Sequence, residues 1–352
     1  MMYYPSLKAN VKYWKNNSMK TIVIFGATGA VGAYTTLHLL EKGYKVVAVG
    51  KRTDDNGFFN ELGCEYISVD ICNKNEFNNL PNDNIWGIID LAGCLPANME
   101  GYTPQKYIDI NISGTLNILE YAVEVNSKVL IYSTSFSDVS HLWNQLEPIG
   151  SDVLTSFPLN NDHSIYSITK NAGADFVRHY SYKYNFKHFI LRFPNIYLYH
   201  PNTYYFVNGK RKRKGLFNII DQASNGEDIE LWGSPNVVRD MVYVKDCCQI
   251  IEKCICSNYS GTYNVGTGVG TTREDQIKGI IEVFSTKKGK SKIVYKTDKP
   301  NSPQYVMDIS KTKEYLGYLP EYYYYKSLQD LKKEMEINRF EKLWGKPEDY
   351  NL

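Results

Sequence analysis

The sequence predicts an α/β protein built on a doubly wound parallel sheet. Two observations carry that prediction: short, β-branched apolar runs alternate with helical stretches, and a glycine-rich turn joins the first run to the first helix. A third supports it. The chain has 352 residues, 43% of them hydrophobic and 22% charged, enough apolar material for a sizeable core at the length of about two domains.

The first element is Thr21 to Phe25, an apolar run suited to a strand covered on both faces. Gly26, Gly29 and Gly32 follow, then a helical stretch from Val31 to Lys42 that Gly43 stops. Lys45 to Val49 is a second buried strand. The first glycine permits the tight turn, the second lets backbone approach a pyrophosphate, and the third lets the helix pack close to the sheet. The helix N-terminus offers unpaired amides and partial positive charge to phosphates. This is the first unit of a Rossmann dinucleotide-binding fold, and Gly26, Thr28, Gly29, Ala30, Val31 and Gly32 are the residues expected against the cofactor.

The end of the second strand informs on which dinucleotide. An NAD site wants an acid there for the ribose hydroxyl, but Gly50 is followed by Lys51 and Arg52. Two cations suit a 2′-phosphate, so NADP is favoured over NAD.

Alternation continues. A strand over Tyr66 to Val69 ends at Asp70, and another over Ile85 to Leu91 runs into Ala92-Gly93. A helix is expected over Pro104 to Val125 and carries Asn111. The strand Val129 to Tyr132 empties into Ser133-Thr134-Ser135, and a long helix from Ser164 holds Tyr166 and Lys170 four residues apart, on one face. Strand Phe189 to Phe193 follows.

Composition excludes several classes. Lys and Arg total 40 against 38 Asp and Glu, a net charge of +2, far from the basic excess of a dedicated nucleic-acid binder. The one basic cluster, residues 210–214, is expected to be a solvated loop. No apolar run is long enough to span a membrane, and the lysine-studded N-terminus lacks the apolar block of a secretory signal. The seven cysteines are scattered and form no Cys-x-x-Cys pair, so reduced thiols in a cytoplasmic protein are expected, with no metal site.

Taken in order, the segments GATGAVG (26–32), VDI (69–71), LAG (91–93), NISGTLNILEYA (111–122), YSTS (132–135), YSITK (166–170), LRFPNIYLYHP (191–201), RDMVYVKD (239–246), YNVGTG (263–268) and DISKTKEYLG (308–317) resemble the extended short-chain dehydrogenase/reductases, in particular their nucleotide-sugar epimerase/dehydratase branch. The resemblance implies a smaller, interleaved C-terminal substrate domain. It divides the chain into an extension (1–18), a Rossmann domain (19–192) and a mainly substrate-binding part (193–345), with 240–266 returning to the first domain. It also implies roles. Tyr166 is the general acid/base on a sugar hydroxyl and Lys170 its electrostatic support. Ser135 bonds the reacting oxygen, with Thr134 as the alternative. Lys51, Arg52, Asp70, Ile71, Leu91, Ala92, Gly93, Asn111 and Phe193 join the glycine turn, Tyr166 and Lys170 around the cofactor. Asn195, Arg239 and Lys299 hold the nucleotide diphosphate. A free tyrosine has a pKa near 10, so reaching neutrality requires roughly 4 kcal/mol in favour of the phenolate. The Lys170 ammonium and the positive nicotinamide ring are the charges expected to supply it.

The chain also departs from the branch. Its dehydratases follow the hydroxyl residue with an Asp-Glu pair, whereas here Phe136-Ser137 intervene and Asp138 comes one position late. A 4,6-dehydratase is therefore disfavoured. Lys299-Pro300 stands where Arg-Pro is usual, and Tyr197-Leu198-Tyr199 replaces Tyr-Gly-Pro. The expected activity is epimerisation of a nucleotide-diphosphate sugar at carbon 4. An NADPH-dependent keto-sugar reductase is the alternative enzyme, and a silent NADP-binding regulator the non-enzyme alternative. A homodimer is expected by resemblance; nucleic-acid and membrane partners are not.

Overall fold

The computed structural model describes residues 20–96, 101–161, 163–207 and 209–350. The expected extension over 1–18 lies outside them. In chain order the first half gives β1 (Thr21–Phe25), α1 (Ala30–Glu41), β2 (Lys45–Gly50), α2 (Phe58–Glu61), β3 (Glu65–Ser68), β4 (Ile85–Asp90), α3 (Pro104–Ile108), α4 (Thr115–Glu124), β5 (Val129–Ser135), α5 (Ser164–Tyr184) and β6 (Lys187–Phe193). The second half gives β7 (Ile196–Tyr197), β8 (Tyr204–Val207), β9 (Lys210–Arg213), α6 (Gly215–Asn225), β10 (Ile229–Trp232), β11 (Val238–Asp240), β12 (Val242–Tyr243) and α7 (Val244–Cys256). It continues with β13 (Gly261–Asn264), β14 (Gly270–Thr272), α8 (Arg273–Phe284), β15 (Ile293–Lys296), α9 (Ser310–Leu316), α10 (Tyr324–Ile337) and α11 (Glu341–Trp344).

Seven strands form one parallel sheet in the order β13-β6-β5-β4-β1-β2-β3. The chain order reverses at β1 and β4, which opens the crevice where such sheets bind ligands, beyond the carboxyl ends of the strands. The β-branched runs explain the burial. Ile22, Ile24, Val46 and Ala48 pack into one core cluster, and Val23, Phe25, Val47 and Val49 into another across the sheet. Each of these Val, Ile and Phe side chains contributes about 1.5–3 kcal/mol by leaving water.

Two expectations changed on the second level of detail. The helix over Pro104 to Val125 is not continuous: a π-helical turn, Asp109–Gly114, separates α3 from α4 and carries Asn111. Residues 210–213 are no loop but the strand β9, paired antiparallel with β8. Among the described residues no helix is long and apolar enough to cross a membrane.

Candidate active site

The glycine turn is shaped by close approaches that only a missing Cβ allows. Gly26 has φ +79°, and a Cβ there would sit 2.8 Å from the Ala92 amide nitrogen. A Cβ on Gly32 would fall 2.1 Å from the Gly26 carbonyl oxygen. Gly29 caps α1 with no side chain accepting from the helix, so the amides of Ala30 and Val31 keep the free donors of a helix start. Thr28 lies over the end of β2: a Cβ on Gly50 would come 2.9 Å from its hydroxyl oxygen.

At the end of β2 the two cations are already engaged. Lys51 pairs with Asp70 at 2.7 Å, and Arg52 donates to the Leu343 carbonyl at 2.5 Å. Burial works upward on the Asp70 carboxyl, but the hydrogen bond from Lys51 helps to outweigh it and holds the group below its ordinary value. Ile71 is buried against the Gly114 end of the π-turn.

Gly26 abuts Leu91 and Ala92, and on the next residue a Cβ added to Gly93 would face Lys170 Nζ at 3.9 Å. The Leu91–Gly93 segment therefore links the glycine turn to the lysine. Asn111 is wholly committed to protein. Its oxygen accepts from the Cys94 amide at 2.8 Å, and its amide donates to Thr169 Oγ1 at 3.0 Å. It ties the exit of β4 to α5.

Lys170 is buried, with Nζ 3.4 Å from Ser133 Oγ and 4.0 Å from the centre of the Tyr132 ring. Burial pushes its ammonium down to about 8, and the nearby Asp90 carboxylate pulls the other way. Asp90 ends β4 in full burial, which raises its own carboxyl to about 6 against the pull of Lys170. Burial pushes the Tyr166 phenol up to about 12, and the Ser135 hydroxyl pulls it the other way. Within the protein alone the phenol is thus driven above its free value, opposite to the lowering that base catalysis requires. Thr134 is buried, and its hydroxyl oxygen has no partner.

Asp138 is not free to act. Arg192 grips it with Nε at 2.9 and 3.1 Å, and both residues are buried. The same guanidinium reaches the Ser151 carbonyl and Asn264, so it joins β6, β13 and the segment after β5.

On the far side of the crevice, Phe193 ends β6 in burial, Asn195 donates to the Tyr305 hydroxyl at 3.2 Å, and Arg239 lies 5.9 Å from the Tyr305 ring. Arg239 Nε also holds the Pro303 carbonyl at 2.8 Å. Lys299 does not join them. It is exposed, 5.9 Å from the Trp232 ring beside the β10–β15 pair.

Sequence reasoning missed Asp90, Tyr132 and Thr169. Asp90 had a signal, an acid ending an otherwise apolar strand. Gly173 gave one for Tyr132: a Cβ there would lie 2.2 Å from the Tyr132 hydroxyl, so the helix glycine seats the ring under Lys170. Thr169 had none. Among the described residues no group of histidines, cysteines and acids could hold a metal ion.

The sequence pattern of the NAD-dependent epimerase/dehydratase family matches residues 22–266. The chain belongs to that family. A putative UDP-glucose 4-epimerase of Methanocaldococcus jannaschii is 25% identical over 309 residues, covering 85% of this chain and 93% of the relative. Among solved structures, UDP-glucose 4-epimerase of Thermotoga maritima, crystallised with UDP-glucose, superposes with a TM-score of 0.71 at 20% identity, over 90% of this chain and 99% of that one. UDP-glucose 4-epimerase of Thermus thermophilus in complex with NAD does so at 0.68 and 18% identity, over 91% and 98%. In this chain the sheet whose strand order reverses at β1 and β4 carries both the glycine turn after β1 and the Ser133–Ser135 strand end beside Lys170.

The residues present fit a dinucleotide. The glycine cradle would be filled by any Cβ, and the first amides of α1, at Ala30 and Val31, have no side-chain cap.

Proposed function

We propose that the chain is an NAD(P)-dependent nucleotide-sugar epimerase, acting at carbon 4 by removing and returning a hydride. The observation that carries this reading is the buried Lys170, on the helix that also bears Tyr166, with Nζ against Ser133 at the end of the Ser133–Ser135 strand and joined to the glycine turn through Leu91–Gly93. When bound, the coenzyme supplies the hydride acceptor and, oxidised, a positive charge. Tyr166 takes the proton of the sugar hydroxyl at its phenolic oxygen and later gives it back, while Ser135 holds the reacting oxygen by a hydrogen bond. Lys170 keeps a positive charge in low dielectric, where it favours the phenolate more than it would in water. Asn195 and Arg239 hold the diphosphate, so that the sugar can turn over between the two hydride transfers. The capture of Asp138 by Arg192 argues against water expulsion, which needs a free acid.

The coenzyme preference rests on the end of β2. There Lys51 pairs with Asp70 and Arg52 with the Leu343 carbonyl, contacts that use one donor of each and leave the remaining N–H groups for a 2′-phosphate. Tighter binding of NADPH than of NADH is therefore expected in a fluorescence titration, and equal or tighter NADH binding would return the preference to NAD.

The test is incubation of the purified chain with a panel of UDP-, ADP-, GDP- and dTDP-sugars, following products by NMR and the reduced nicotinamide by absorbance. Epimer formation without net absorbance change is the expected result. Stoichiometric loss of reduced coenzyme would replace epimerisation by reduction.

A further inference from the structure

Arg273 stands in a place that its own interactions do not account for. In the β11–β14 pair Arg239 lies opposite Thr271, and the Arg273 amide continues the ladder by donating to the Val237 carbonyl at 2.8 Å. Arg273 opens α8 directly after β14, so the register of that pair sets it beside the Val237–Arg239 strand. Both guanidiniums act on the half-buried Tyr197 phenol, which lies two residues after Asn195. Two like charges are thus gathered beside the Asn195–Tyr305 contact.

Neither arginine has a carboxylate partner among the described residues. Arg239 holds the Pro303 carbonyl, and Arg273 Nη1 holds only the Gln276 amide oxygen at 3.2 Å. The acids that open α8 are spent elsewhere. Glu274 pairs with Lys278 at 3.1 Å and meets Tyr295, and Asp275 accepts from Thr272 Oγ1 at 2.6 Å. Burial, and secondarily the charge of Arg239, push the Arg273 guanidinium below its ordinary value, and its position at the start of α8 sets it against the helix dipole as well. A half-buried cation with these neighbours is uncompensated within the chain. An anion would compensate it.

The resemblance assigned a second diphosphate cation to Lys299, which lies exposed against Trp232. We propose that Arg273 fills that place: with Arg239 it forms a two-guanidinium grip on the diphosphate of the nucleotide substrate. The inference rests on the nucleotide-sugar reading above. A fork of donors holds phosphate oxygens in a fixed direction, which a lysine point charge cannot do.

The test is calorimetric titration of the whole chain and of Arg273→Gln and Arg273→Lys. The ligands are inorganic pyrophosphate, the UDP, ADP, GDP and dTDP nucleotides, and the matching nucleosides. NADH binding to each variant reports whether the fold is kept. The expected result is that Arg273→Gln weakens the preferred nucleoside diphosphate and pyrophosphate by about tenfold or more, with nucleoside and NADH binding unchanged. Arg273→Lys should recover only part of the loss, and it serves alone if the glutamine variant does not fold. Unchanged diphosphate affinity in a folded variant overturns the role of Arg273 and leaves the nucleotide-sugar reading standing. A wild-type chain that binds NADH but no diphosphate overturns both.

Discussion

A lysine buried beneath a strand-end serine, with a carboxyl of raised pKa nearby, sets the pH behaviour of this site. In the role proposed for it, Lys170 acts only as an ammonium. Burial brings its pKa to about 8, so the charge is lost as pH rises through that value. Asp90, raised to about 6 by burial, supports the ammonium only as a carboxylate, and that support is lost as pH falls through about 6. Turnover should therefore peak between these limits. Asp90→Asn removes the attraction that props up the ammonium, and the alkaline limb should move to lower pH in a kcat profile; an unmoved limb would uncouple the pair. Tyr166→Phe keeps the ring and loses the proton carrier. Turnover should drop roughly 10²–10⁴-fold while NADH affinity, read by fluorescence, stays near wild type. Equal turnover would remove Tyr166 from the chemistry.

At the scale of elements, the glycine turn and the helix that bears Tyr166 were legible because each follows a local rule. The observed α1, Ala30–Glu41, lies within one residue of the span that apolar spacing and Gly43 predict. A Cβ at Gly32 would meet the Gly26 carbonyl, so Gly32→Ala should cost about 1–3 kcal/mol in denaturant unfolding and abolish NADH binding. The π-turn at Asp109–Gly114 was not legible. Its extra residue is stabilised by distant partners, with Asn111 held between Cys94 and Thr169, and helical periodicity carries no trace of it. The surroundings of Lys299 were not legible either: it follows β15, and the pairing of that strand with β10 sets it exposed beside Trp232. Asp138 was flagged as an acid out of step, while its partner Arg192 lay unremarked inside a strand. Together they join the segment after β5 to β6 and β13. Asp138→Asn leaves a guanidinium buried without its counter-ion and should cost about 3–5 kcal/mol, measured as a shift in denaturation midpoint with the slope unchanged.

At the scale of the whole molecule, the C-terminal segment returns to the glycine turn and closes the fold on its own first element. Glu334 at the end of α10 is fully buried, held by Arg339 at 2.6 Å and Lys245 at 2.9 Å, and this fixes the exit of the helix. Phe340 then packs on Tyr34 of α1 with ring centres 4.6 Å apart, and on Trp344 at 4.2 Å. Trp344 stacks on His200 at 4.4 Å and donates its indole N–H to the Thr28 carbonyl at 2.9 Å. Arg52 anchors the same segment through Leu343, and the β9 strand reaches it through Arg211 and the Tyr350 carbonyl. The turn proposed to receive the pyrophosphate is thus braced from outside by residues more than 300 positions later. Removal of that brace should be felt at both levels. Trp344→Ala empties a buried site and should destabilise the chain by about 3–5 kcal/mol. It also frees the Thr28 carbonyl and loosens the turn, so NADH should bind more weakly and leave faster in stopped-flow displacement. A variant that loses stability yet binds and releases NADH as the wild type does would make the segment a structural strap with no hold on the coenzyme site.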